Sequence, residues 1–239
     1  MYRDNPWLRQ RNEDQSLSLY TNIFILLTKQ YENVILLEGL IMEISSNFWR
    51  PSLLASPNIP KPLHTLNPRT ILGRWWWDEQ RQKAYAKHDY RCWACGVPKI
   101  NADFHKWLEA HEDYNIEWET GRIELREIVA LCHSCHNFIH SGRLYSIYQE
   151  GHIGKDGVRQ ILEHGFGICE RNNVQPYFGA FMTLNLINGQ SPEEAIKNAK
   201  KKGWFPTIEA PWENWHLVIE GQKHYSPFKN LLEWEQYWV

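Results

Sequence analysis

Cys92-Trp93-Ala94-Cys95 and Cys132-His133-Ser134-Cys135-His136-Asn137-Phe138-Ile139-His140, with Leu108-Glu109-Ala110-His111-Glu112 between them, decide the reading of this chain. One Cys-x-x-Cys pair brings two sulfurs onto an ion, and a second pair completes a tetrahedral shell. The spacing predicts a closed structural Zn2+ site of Cys92, Cys95, Cys132 and Cys135. Only Cys169 of the five cysteines is left over, and it reads as an ordinary buried thiol. Disulfides are the weaker reading. Nothing upstream resembles a cleavable signal peptide, and a chain of 239 residues needs no stapling. A redox Cys-x-x-Cys does not explain two such pairs flanking one short segment.

The histidines carry the second half of the argument. A helix beginning near Cys132 places His136 and His140 at i and i+4, on one face. Two imidazoles so placed can share a cation. Residues 115–118, a turn at 119–122 and residues 123–125 read as a hairpin. A hairpin followed by a helix, knotted by four cysteines, brings His111 over the helix face. Taken singly, each histidine is equally well explained by capping or packing. Taken together on a cysteine frame, His111, His136 and His140 predict an open metal site beside the closed one.

At this point the residues resemble a known family. The segment from about Arg91 to Arg143 is similar to an HNH endonuclease domain of the four-cysteine, ββα-metal type. The likeness covers roughly a quarter of the chain. It rests on the cysteine frame, the Glu-x-His before the hairpin and the Leu-Cys-x-x-Cys-His-x-x-x-His run. By position it puts His111 on a metal-ligand site and His136 and His140 on the ligand positions of the final helix. It also implies a catalytic divalent cation, Mg2+, Mn2+ or another transition metal. Two positions depart from the pattern. Glu112 stands where the family carries its general-base histidine, and Glu127 stands at the middle position of the motif. A carboxylate is a weak base at neutral pH, with an unperturbed pKa of about 4.3. Glu112 can still orient or deprotonate an attacking water. It can instead be a ligand, which leaves His105, His133 or Tyr114 as the base. A third reading is a site that binds metal and does no chemistry.

The bulk numbers set limits. A hydrophobic share of 43% and a charged share of 23% are ordinary for a globular protein. The net charge of −2 makes the whole chain no magnet for nucleic acid, so contact with DNA needs a local basic face. Arg74, Arg81, Lys83, Lys87 and Arg143 are the candidates for it. The first four read equally well as a solvated helix face balanced by Asp78, Glu79 and Asp89. Thirteen tryptophans read first as packing residues and second as base-stacking platforms. No apolar run is long enough to cross a membrane. Zinc thiolates imply a reducing compartment, hence a cytoplasmic protein.

The predicted architecture is α+β, a zinc-stapled ββα-metal core with helical and mixed flanks. Residues 1–50 read as an N-terminal helical segment. Residues 51–77 hold prolines 57, 60, 62 and 68 and read as an extended linker. Residues 78–150 form the expected core, entered by a helix capped at Asp78. Residues 151–239 form an α+β accessory region. There, a helix at 157–163 stops at Gly165 and a second starts at Ser191-Pro192-Glu193-Glu194 and stops at Gly203. A hairpin turning at Glu220-Gly221 and a terminal aromatic helix opened by Ser226-Pro227 complete it.

Two classes of function compete on these residues. The first is a metal-dependent HNH-type endonuclease acting on DNA. Such a site nicks one strand at a time, so a double-strand break calls for a homodimer. The second is a zinc-stabilised module that binds nucleic acid or protein and does not cleave.

Overall fold

The hairpin and the helix after it are where the sequence places them, and the rest of the chain is built around them. The structure, a computed structural model, describes residues 49–201 and 210–238. The expected N-terminal helices and the stop at Gly203 lie outside these residues. Strand β1 is Glu109–Glu117 and β2 is Arg122–Leu131, paired antiparallel. The hairpin is thus longer than expected. His111 lies within it, opposite Val129, rather than ahead of it. The register slips between Asp113 and Tyr114. The last four residues of β2, Ile128–Leu131, are all buried, because both faces of the strand are covered there.

Cys132 leaves the strand in an extended conformation and caps helix α2, His133–Ile139. His140 breaks the helix with φ −87° and ψ 46°, and α3, Ser141–Gln149, starts again behind it. Helix α4 spans Lys155–Arg171 and packs across α2. It does not stop at Gly165. That glycine is where α4 crosses α2, and a Cβ there would overlap the Phe138 ring. Its missing side chain serves close approach, not termination. Helices α5, Phe178–Ile187, and α6, Pro192–Lys201, follow. Ser191 caps α6 as expected, its Oγ accepting from the Glu194 N–H at 3.2 Å.

The helix expected to be capped at Asp78 is capped eleven residues earlier, at Asn67. Asn67 and Thr70 form a reciprocal cap, Pro68 takes the first turn, and α1 runs Pro68–Lys87. Gly73 interrupts it with φ 86°, ψ 169°. The linker is therefore shorter than residues 51–77. It also contains two 3-10 turns, Pro51–Ala55 and Lys61–Leu63, whose Leu53, Leu54 and Leu63 are buried. Prolines excluded an α-helix from 51–67 but did not make the segment peripheral.

Strands β3, His216–Ile219, and β4, Gln222–Tyr225, form the expected second hairpin. They do not stand apart from the first. β3 pairs in parallel with β2, Arg122 opposite His216, giving one mixed sheet in the order β1-β2-β3-β4. Helix α7, Leu231–Tyr237, is capped by Asn230 rather than opened at Ser226-Pro227. The architecture is α+β, with seven helices among the described residues. Two apolar cores support it. One surrounds the cysteines and helices α2 to α5. The other joins Leu63 and Ile123 to Trp215, Leu217 and Ile219.

Candidate metal centre

The first group is closed. The knuckle Cys92–Cys95 is turned by Gly96, at φ +75°, whose N–H donates to the Cys92 carbonyl at 2.8 Å. Trp49 packs against the space a Cβ would need at Gly96. Trp93, between the two sulfurs, is buried, and its N–H donates to the Ala130 carbonyl at 2.8 Å. The knuckle is thereby stitched to the end of β2, beside Cys132. All four sulfurs lie within 4.8 Å of one another. Cys95 Sγ and Cys132 Sγ are 3.8 Å apart and all four cysteines are free. Metal–sulfur bonds of about 2.3 Å at tetrahedral angles place sulfurs about 3.8 Å apart. The four cysteines can therefore hold one metal ion. Burial and the neighbouring sulfurs push the Cys92 thiol up. The neighbouring sulfurs, and then burial, do the same to Cys135. Hydrogen bonds from the other thiols hold Cys132 well below its usual range. Cys95 is lowered to about 6 as the hydrogen bonds from Cys135 and Cys92 outweigh the opposing one from Cys132.

His164 belongs to this group and was not foreseen. Its Nε2 lies 3.5 Å from Cys135 Sγ, and contact with Cys132 and Cys95 raises its pKa to about 10. A protonated imidazole there favours the charged form of the sulfurs it touches. No spacing rule points to it, since it arrives on α4 by packing.

The second group is His111, His136 and His140, each offering a ring nitrogen within 4.8 Å of the others. His111 Nδ1 and His140 Nε2 are 3.1 Å apart. Ligand bonds of about 2.1 Å separate neighbouring donors by about 3.0–3.4 Å, so the set fits one cation. The cap position of His140 matters: with the helix broken there, its ring meets His136 at 4.7 Å between centroids. Burial, then the charges of His140 and His136, hold the His111 pKa far below normal. Burial, His136 and Arg143 lower His140 to about 3. Both rings are therefore neutral at ordinary pH, the form that ligates. Glu109 fixes the third ring: His136 Nδ1 donates to Glu109 Oε2 and leaves Nε2 for an ion. Burial pushes the Glu109 pKa up, but the hydrogen bonds from His133 and His136 outweigh it, and the carboxyl is held well below its usual range.

Glu112 lines the same site. A cavity of about 170 Å3 opens between β1 and the segment 56–67, with His111, Glu112, Tyr114 and His140 on its wall. Burial raises the Glu112 pKa. Its carboxylate does not pair with the arginines of the hairpin. Arg122 serves Glu117 and Glu124, and Arg126 lies 3.9 Å from Asp113. Glu127 does not join the histidines. It accepts from Arg50 at 2.8 Å and Lys87 at 3.0 Å on the side of the sheet that faces α1.

The cationic candidates fall into two sets. On α1, Arg74 and Arg81 both engage Asp78, Lys83 engages Glu79, and Lys87 engages Glu127. Arg143 is exposed at the start of α3, donates to Asn137 Oδ1 at 3.3 Å, and acts on His140 through its charge. Among the described residues no helix is long and apolar enough to cross a membrane. Comparison with family models, with curated proteins and with solved structures gave no match for this chain.

Proposed function

We propose that the protein is a metal-dependent endonuclease of the HNH type, hydrolysing phosphodiester bonds in DNA. The observation that carries the proposal is the pairing of two metal-ligand sets. His111, His136 and His140 converge beside the four-cysteine group without joining it, and a carboxylate, Glu112, stands on the wall of the same cleft. A closed set of thiolates suits a structural Zn2+, whereas three imidazoles with an open side suit a catalytic cation.

The histidines would hold a divalent cation, which when bound offsets negative charge developing on the scissile phosphate. The chain's own residues do the rest. Glu109 locks the His136 ring through Nδ1, so the ligand does not turn as substrate enters. Glu112, raised by burial, accepts the proton of the water that attacks phosphorus. The new P–O bond forms as the bond to the leaving sugar oxygen breaks. Arg143, exposed and close enough for its charge to act on His140, would hold a phosphate oxygen. The carboxylate pairing of the α1 cations makes Arg143 the stronger phosphate contact. Cleavage of both strands by one such site calls for two copies, so a homodimer on DNA belongs to the proposal.

The test is incubation of the purified full chain with supercoiled plasmid and Mg2+ or Mn2+. Nicked circles should appear first, and His140→Ala should abolish them. A salt-dependent shift of DNA without cleavage, across several divalent metals and substrates, replaces the nuclease with a binding module.

A further inference from the structure

We propose that His105, Glu109 and His133 form a third cation site, distinct from the cysteine group and the His111 group and taking a divalent transition metal. The site stands whether or not the chain cleaves DNA. It is built from a loop, the start of β1 and the start of α2, which meet at the rim of the hairpin. His105 Nε2 lies 2.9 Å from Glu109 Oε1, and His133 Nδ1 lies 2.7 Å from the same oxygen. The two nitrogens are themselves 2.9 Å apart. Three donor atoms thus form a nearly equilateral triangle.

Hydrogen bonding alone does not satisfy that triangle. An imidazole nitrogen either donates or accepts, never both. If both nitrogens donate to Glu109, the contact between them sets two protons against each other. If one nitrogen donates to the other, its contact with the carboxylate is left without a proton. In every arrangement at least one edge is repulsive. A cation just off the plane, about 2.1 Å from each atom, satisfies all three together. Neighbouring ligands of a six-coordinate ion are about 3.0 Å apart at that bond length, close to the edges seen here. Two imidazoles and one carboxylate on a single face, with the opposite side open, favour borderline divalent metals such as Zn2+, Mn2+ or Fe2+.

The surroundings fit a site that stays open. The side chains of His105, Glu109 and His133 are 13%, 20% and 20% exposed, so an ion and its remaining waters can reach them. The His105 ring is held flat on Trp107, centroids 3.6 Å apart and planes within 1°, which orients Nε2 towards Glu109. Asn137 donates to the His133 carbonyl at 3.0 Å and pins the first turn of α2. Glu109 then has two duties. Oε1 faces this site and Oε2 receives the proton of His136, so the two open groups are joined through one carboxylate.

The test is a metal count on the full chain, by elemental analysis after gel filtration in buffer containing micromolar Zn2+. His105→Phe keeps an aromatic ring on Trp107 and removes both nitrogens, and His133→Ala removes the second ligand. Each should hold one zinc fewer than the parent, with circular dichroism unchanged. The double variant His111→Ala, His140→Ala should lose a different zinc, so failure of the nuclease site and failure of this site read separately. Adventitious surface zinc is common to parent and variants and cancels. Equal counts in the parent and both folded variants overturn the proposal. Should either variant fail to fold, crystals of the parent soaked in Zn2+ decide. An anomalous peak bonded to His105 Nε2, Glu109 Oε1 and His133 Nδ1 supports the site, and a peak on the cysteines with none here overturns it.

Discussion

The cysteine knot and the histidine cleft both draw residues from the same short α2 and its caps, Cys132 and Cys135 for one and His136 and His140 for the other, yet they are built on opposite principles. Around the knot most of the group is covered: Cys92, Trp93, Cys132 and Cys135 are buried, Cys95 is half-buried, and the backbone is stitched to β2 and to residue 50. Around the cleft, a cavity and a carboxylate are kept beside two of the histidines, and the charge of the exposed Arg143 reaches His140. The knot spends its ligands on holding the chain together. The cleft has ligands whose nitrogens are oriented but not saturated. Residue type alone does not make this difference. It comes from what packs on each side of one short helix.

The largest expected effect breaks the knot. Structural zinc in small domains contributes about 10–16 kcal/mol of apparent binding energy, which is also folding energy, and whole domains have net stabilities of about 5–15 kcal/mol. Cys132→Ser, or complete chelation verified by elemental analysis, should therefore abolish the cooperative unfolding transition followed by tryptophan fluorescence. An unchanged melting curve would remove the distinction between the two groups. His111→Ala should move the melting temperature far less.

The cleft is probed by Glu112→Gln, which keeps shape and removes charge. Plasmid cleavage should fall by about 10²–10⁴-fold, the range for a positioned acid–base group, with DNA binding little changed. If Glu112 is a ligand instead, excess metal should partly restore cleavage. Full cleavage at limiting metal takes Glu112 out of the mechanism.

Both regions lean on the contact behind α2. Gly165→Ala pushes a methyl group into the Phe138 ring and should cost about 1–3 kcal/mol, the usual penalty for overpacking. Thermal unfolding measures it, and metal content at low temperature should be unchanged. A stable Gly165→Ala would show that α4 can shift without disturbing either site.

The smallest effect is on pH dependence. His88 lies tilted against Trp93 with centroids 3.8 Å apart, and burial, then Lys87 and Arg50, lower its pKa to about 4. The unfolded chain takes up this proton near pH 6.5 and the folded chain does not, so the unfolded state gains as pH falls between those values. Stability should decline over that window. His88→Phe should flatten the decline relative to the parent when unfolding is followed in urea from pH 7 to pH 4. Identical slopes would show that His88 does not contribute.

Much of this was legible in the sequence because it depends on short spacings. The two Cys-x-x-Cys pairs, the i, i+4 histidines and the turn at 220–221 are local facts, and the structure brings each set together as read. The misreadings were of another kind. Asp78 reads as a helix start because it is a good cap, but Asn67, with Pro68 behind it, is a better one eleven residues earlier. Gly165 looked like a stop because glycine often is one, yet here it admits Phe138. His164 carries no local signal, and Glu109 was visible only as a neighbour of His111. Both meet partners far along the chain, His133 for Glu109 and Cys135 for His164, 24 and 29 positions away.

The parallel pairing of β2 with β3 has a consequence for how the chain comes into being. The knot closes within residues 92–135, but the edge of β2 waits for a strand that begins at His216. Closing so long a loop is entropically slow, whereas the knot's loop is short and rewarded by metal. During synthesis, a nascent chain carries its finished ligand groups past the ribosome exit with the Arg122–Glu124 edge still bare. That edge presents unpaired N–H and C=O groups to any neighbouring strand until the last tenth of the chain arrives to cover it. Metal uptake and resistance to aggregation are therefore acquired at different moments. A chain truncated before residue 210 should bind its ions and still associate with its own copies.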